Sequence, residues 1–81
     1  MSAGAPDPAA SVRLAVELQL GRETVSLDDR LAEDLDADSF DLMNIAAVLE
    51  EDHGIFITEE AAGAVRTVGD LVDLVTSLVG S

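Results

Sequence analysis

The sequence predicts an all-α fold: a small antiparallel four-helix bundle with three longer helices, one short one and a long loop between helices one and two. Three observations carry that reading. Apolar residues recur at spacings of three and four in three separate stretches, which is the period of a half-buried helix. Asp38, Thr58 and Thr67 each stand where a side-chain oxygen can accept from the free N–H groups of a first helical turn. The one short β-prone run, Ile55-Phe56-Ile57, has no second strand to pair with and is read as extended loop.

The first helix is expected to begin near Pro8, after a small, polar, flexible segment over residues 1–7. Val12, Ala15, Val16 and Leu20 form its apolar stripe, and Gly21 supplies a left-handed stop. Leu14 and Leu18 fall opposite that stripe and are read as a rotated helix or ordinary exposed leucines in preference to a second contact surface. Residues 22–38 form the long connection, within which Ser26 and Asp29 suit a single turn. Val25, Leu27, Leu31 and Leu35 are expected to pin it to the core.

The second helix is expected over Ser39 to about His53, ended by Gly54. At about 100° per residue, Leu42, Ile45, Ala46, Leu49 and His53 share a core face, with His53 packed and hydrogen-bonded. Phe40, Met43 and Ala47 share another face, flanked by Asn44, Glu50 and Glu51. Thr58 caps a short helix from Glu59 to about Ala64, whose first turn carries two acids. Thr67 and Asp70 open a last helix that runs to about Val79, with Val68, Leu71, Val72, Val75 and Val79 inward.

Composition narrows the function. Eighty-one residues make one small domain, and the absence of cysteine leaves neither disulfides nor thiolate metal sites. The formal charge is −13 and all four bases are Arg, which argues against nucleic acid and anionic membranes and for basic partners. No apolar run reaches the length of a membrane span and no secretory signal is present, so a cytoplasmic protein is expected. With two Phe and no Trp or Tyr, the core must be aliphatic.

The chemistry centres on Glu33-Asp-Leu-Asp-Ala-Asp-Ser-Phe-Asp41. Asp38 caps the second helix, Asp41 completes a capping-box spacing, and Ser39 occupies the first helical position. No His or Lys lies near Ser39 along the chain to serve as its base. A serine so placed is exposed but not self-activated, and is read as a group that is acted upon.

Asp34-Leu-x-x-Asp38-Ser39-Phe40-Asp41, the apolar helix ending Leu49-Glu50-Glu51, Gly54-Ile55-x-Ile57 and Thr67-Val68-x-x-Leu71 together resemble an acyl carrier protein, over about residues 9 to 79. The resemblance implies an acyl carrier domain over residues 8–81 with no catalytic or metal-ligating residues of its own. It implies that Ser39 receives 4′-phosphopantetheine from coenzyme A through a separate phosphopantetheinyl transferase, with Asp38 as the flanking recognition residue. The arm's thiol would hold acyl intermediates as thioesters, supplying thiol chemistry to a chain without cysteine. The implied partners are acyltransferase, ketosynthase and other biosynthetic enzymes with basic docking surfaces, which would meet a monomer at Phe40, Asp41, Met43, Asn44, Ala47, Glu50 and Glu51.

The sequence departs from the family pattern at several positions. Asp36 stands where Gly is usual, in a turn that Asp tolerates. Phe40 replaces a usual Leu, Asn44 a common recognition Glu, His53 a usual core Phe and Thr58 a usual Pro. The last three set the chain apart from standard fatty-acid synthase carriers. Leu42-Met43, Ala46-Ala47-x-Leu49-Glu50, Ala62-Gly63-x-Val65 and Leu71-x-Asp73-Leu74 are similar to discrete carriers of bacterial type II polyketide pathways.

Rival readings are an unmodified acidic helical adaptor for a basic protein, and a carrier of amino acids in place of acyl chains. A calcium loop starting at Asp34, Asp36 and Asp38 fails on its own pattern: Ser39 stands where Gly is needed and Ile45 where a bidentate Glu is required.

Overall fold

The computed structural model describes residues 7–80, which form four helices: α1 (Pro8–Leu20), α2 (Ser39–His53), α3 (Glu59–Ala64) and α4 (Val68–Val79). The chain is all-α among the described residues, with α1 packed against α2 and α4, and α3 against α2. Every buried apolar side chain is aliphatic, with Val12, Val16, Ile45, Leu49, Val68, Leu71 and Val75 at the centre. Both phenylalanines lie outside that core, Phe40 on α2 and Phe56 in the loop before α3.

Helix starts follow the local chemistry closely. Capping boxes open α2 (Asp38 with Asp41) and α4 (Thr67 with Asp70), and the Thr58 side chain accepts from the Ala61 N–H to start α3. Asp7, placed by the sequence in the flexible leader, instead caps α1 by accepting from the Ala10 N–H, because Pro8 has no N–H of its own and suits the first turn. Residues 1–6 of that leader lie outside the described residues. Gly21 and Gly54 both end their helices in the left-handed conformation. Asp36 also has positive φ, at 60°, the turn that the family pattern usually gives to Gly.

The long connection is sewn to the start of α4 by backbone bonds that the side-chain pattern does not display. Leu31 donates to the Arg66 carbonyl at 2.8 Å, Val68 to Asp29 at 3.0 Å and Gly69 to Leu27 at 2.8 Å, around an isolated bridge between Arg30 and Thr67. Val25, Leu31 and Leu35 bury their side chains as expected. Leu27 does not: its side chain is 44% exposed, and its carbonyl makes the anchor instead. A Cβ on Gly69 would come within 3.1 Å of that oxygen, a tight contact that glycine avoids.

Three further expectations change. Val79 is largely exposed while Leu78 packs against the core. The two flank the centre of the α4 stripe at similar angles, so spacing alone does not separate them. His53 is half-buried, but neither ring nitrogen has a hydrogen-bond partner among the described residues. At this helix end the Glu50 carbonyl accepts from the Gly54 and Ile55 N–H groups. Leu42 and Ala46 are only half-buried, for a reason that becomes clear at Ser39. No helix among the described residues is long and apolar enough to cross a membrane.

Candidate functional site

Ser39 is the first residue of α2 and is exposed. Its hydroxyl makes no hydrogen bond among the described residues, and its neighbours explain why. The Asp38 carboxylate accepts from the Asp41 N–H at 2.9 Å, and the Asp41 carboxylate accepts from the Asp38 N–H at 3.3 Å. The capping work is done by the two acids, which leaves the serine between them uncommitted.

Asp41 is further tied across the bundle, accepting from the Gln19 amide at 3.1 Å. That hydrogen bond, followed by the one from the Asp38 backbone, lowers the Asp41 pKa from its ordinary value. Gln19 was not singled out by the sequence; it lies on α1, twenty-two positions away, and no local pattern joins the two.

Two clefts meet at Ser39. The first, about 540 Å³, lies between α2 and α3 and is lined by Leu42, Met43, Ala46, Ala47 and Glu50 from α2. Ile57, Thr58, Glu59, Ala62 and Gly63 form its other wall. Its walls are largely apolar, and the short Ala46, Ala47, Ala62 and Gly63 leave the space between them unfilled. From Ser39, the α2 lining falls at i+3, i+4, i+7, i+8 and i+11, a single helical stripe. That stripe runs between the two faces read from the sequence: Leu42 and Ala46 are cleft wall as much as core, and Met43 and Ala47 border the same groove. The spacing was visible in the sequence; which helix would leave it uncovered was not.

The second cleft, about 720 Å³, lies on the loop side of Ser39 and is lined by Arg30, Leu31, Glu33, Ala37, Asp38, Leu42, Val65, Arg66, Thr67 and Asp70, among others. Two of the four arginines, Arg30 and Arg66, share its lining with the serine.

The remaining predicted residues lie around these openings. Phe40 is 67% exposed and Met43 61%. Ala47 and Glu51 are exposed, and Asn44 is half-buried. Glu50 is half-buried and already engaged, its carboxylate accepting from the Ile57 N–H at 2.8 Å to hold the loop before α3. No set of three or more potential metal ligands converges among the described residues: Asp34 turns to Arg30, and Asp38 to the α2 cap.

Comparison with known families places residues 10–75 in the phosphopantetheine attachment site family. The chain belongs to the acyl carrier proteins. It is 38% identical to the acyl carrier protein of Treponema denticola over 64 residues, covering 79% of this chain and 82% of that one. It is 35% identical to the acyl carrier protein of Thermosynechococcus vestitus over 68 residues, covering 84% of each. The solution structure of the acetyl actinorhodin acyl carrier protein from Streptomyces coelicolor superposes with a TM-score of 0.73 at 32% identity, covering 89% of this chain and 90% of that one.

The protein is therefore an acyl carrier with a covalently attached 4′-phosphopantetheine, and it works with a phosphopantetheinyl transferase and with biosynthetic enzymes. An exposed, unbonded serine hydroxyl at the mouth of two clefts fits such an arm, which needs an accessible oxygen and room to lie along the protein. When bound, the arm contributes the thiol on which an acyl group is held as a thioester.

Proposed function

We propose that Ser39 is the attachment residue and that the protein carries acyl intermediates in a specialised type II pathway of the polyketide kind, as a cytoplasmic monomer with no catalytic activity of its own. The observation that carries this reading is the free Ser39 hydroxyl, with no base within hydrogen-bond reach among the described residues. In the transfer, the Ser39 oxygen attacks the coenzyme A phosphorus that bears pantetheine. A new P–O bond forms, 3′,5′-adenosine diphosphate leaves, and the serine proton passes to a base on the transferase. Asp38 and Asp41 hold the serine on a rigid helix end for that attack.

The exposed Phe40, Met43 and Ala47, bordered by Asp38, Asp41, Asn44, Glu50 and Glu51, form the surface on which basic enzymes dock. Phe40 and Met43 are the apolar anchors. Glu51 is the freer of the two adjacent glutamates, because Glu50 is partly occupied with Ile57. Asn44, His53 and Thr58 speak against a standard fatty-acid synthase carrier. Support for the polyketide kind comes from Leu42-Met43, Ala46-Ala47-x-Leu49-Glu50, Ala62-Gly63-x-Val65 and Leu71-x-Asp73-Leu74, and from the similarity in fold and sequence to a carrier named for actinorhodin.

The test is intact-mass spectrometry of purified protein incubated with coenzyme A and a broad-specificity transferase. One phosphopantetheine mass is expected on the native chain and none on Ser39→Ala. An unchanged native mass with several transferases, or an equal gain on Ser39→Ala, rules out Ser39. Loading the modified protein with an aminoacyl group in preference to acyl groups would favour the amino-acid carrier instead.

A further inference from the structure

The loop-side cleft holds an arginine that the architecture leaves out of any close ion pair among the described residues. The charged groups lining that cleft are Arg30, Glu33, Asp38, Arg66 and Asp70. Arg30 is neutralised by Glu33 at 3.1 Å and by Asp34 at 3.3 Å. Asp38 caps α2. Asp70 accepts from the Arg66 and Thr67 backbone N–H groups, both at 3.1 Å. The Arg66 guanidinium makes no ion pair within 4.0 Å and no side-chain hydrogen bond among the described residues, and its side chain is exposed. Its charge attracts the Asp70 carboxylate, as a smaller contribution than the backbone bonds, without closing to an ion pair. On a molecule of net charge −13, an arginine that shares a cleft with Ser39 and is not locked to an acid stands out.

Resting on the assignment of Ser39 as the attachment residue, we propose that Arg66 is a positioning residue for the phosphodiester that joins the arm to Ser39. It draws that anion to the loop side of α2. Modification adds a negative charge beside Asp38 and Asp41, where repulsion would otherwise drive the group outward into solvent. An arginine fork suits two phosphate oxygens and is always charged. Holding the phosphodiester there fixes the first bonds of the arm against the protein. The apolar α2–α3 cleft, which opens on the other side of the same serine, is left free.

The experiment compares unmodified and modified forms of the native protein, Arg66→Gln, Arg66→Lys and Arg22→Gln, each verified by intact mass. Arg22 is exposed and does not line the cleft, so it controls for loss of one positive charge. At low salt, modification should lower the melting temperature of Arg66→Gln by about 2–6 °C relative to its effect on the native protein and Arg22→Gln. Arg66→Lys should recover part of that difference, and high salt should erase it. The phosphodiester ³¹P resonance should move in Arg66→Gln alone, which a purely structural role for Arg66 would not produce.

An equal effect of modification on all four proteins, with an unmoved ³¹P resonance, overturns the inference while leaving the attachment site standing. A dependence on Arg66 that appears only when the arm carries a malonyl group also overturns it, because the partner is then a cargo carboxylate. No mass gain at Ser39 on the native protein removes both readings together.

Discussion

α2 and α4 open on the same local device and meet opposite fates. Asp38-Ser-Phe-Asp-Leu42 and Thr67-Val-Gly-Asp-Leu71 each place a capping residue first, an acid at the third helical position and a leucine at the fourth. In α4 the first helical residue, Val68, is fully buried, and the N–H groups of Val68 and Gly69 are taken by the Asp29 and Leu27 carbonyls of the long loop. In α2 the first residue, Ser39, and the second, Phe40, are exposed, and their N–H groups have no acceptor among the described residues. One helix start is closed by tertiary structure and serves stability. The other is left open and serves chemistry. A capping box fixes where a helix begins and says nothing about what will cover it.

The largest expected effect lies beneath these starts. Leu71, 1% exposed on α4, and Leu49, fully buried on α2, should each cost about 2–5 kcal/mol when cut to Ala, enough to unfold much of so small a domain. Leu42 occupies the place in α2 that Leu71 holds in α4, but it is half-buried against a cleft, so Leu42→Ala should cost clearly less. Urea melts followed by circular dichroism measure all three. If Leu42→Ala matches Leu71→Ala, the two helix starts are equally closed and the comparison fails.

Exchanging the first helical residues sharpens the contrast. Val68→Ser replaces two buried methyls with one buried hydroxyl, at a cost of roughly 2–4 kcal/mol. Ser39→Val, at the equivalent position, should stay within about 0.5 kcal/mol of the native protein while abolishing arm attachment. Melts and intact mass on the same pair separate the two roles.

The third-position acids offer a pH test. Asp70 is held below its ordinary pKa first by the Thr67 backbone N–H and then by that of Arg66, and Asp41 first by Gln19. A carboxylate whose folded pKa is lowered adds stability above its unfolded value of about 3.9 and loses it as pH falls through the folded value. The melting temperature should therefore drop as pH is taken below about 4, and Asp70→Asn and Asp41→Asn should each flatten that drop. Gln19→Leu should move the NMR titration of Asp41 upward and leave that of Asp70 in place. Equal movement of both acids would mean that the tie from α1 to the α2 start is not what lowers Asp41.

The smallest effect on the fold is expected at the second helical positions. Phe40→Ala should change stability by less than about 0.5 kcal/mol, since the ring is 67% exposed, and should still weaken arm attachment by the transferase. Glu51→Lys should slow association most visibly at low salt. If Phe40→Ala collapses the fold, α2 is rotated from the orientation described here and its open face is not the docking face.

The sequence by itself determined the four helices, their starts and stops, the aliphatic core and the serine between two capping acids. Those features rest on interactions within one helical turn, or on a period that burial imposes along a single helix, so they can be read without knowing what packs where. Tertiary structure decided the rest. It used the Leu27 carbonyl in place of the Leu27 side chain, chose Leu78 over Val79, and tied Gln19 to Asp41. It left the α2 stripe from Ser39 to Glu50 uncovered beside α3, and it set Arg66, free of any close ion pair among the described residues, in the cleft on the other side. The physical reason is common to all of these. Each depends on backbone groups or side chains brought together from distant parts of the chain, and backbone hydrogen bonds between loops carry almost no signature in side-chain identity.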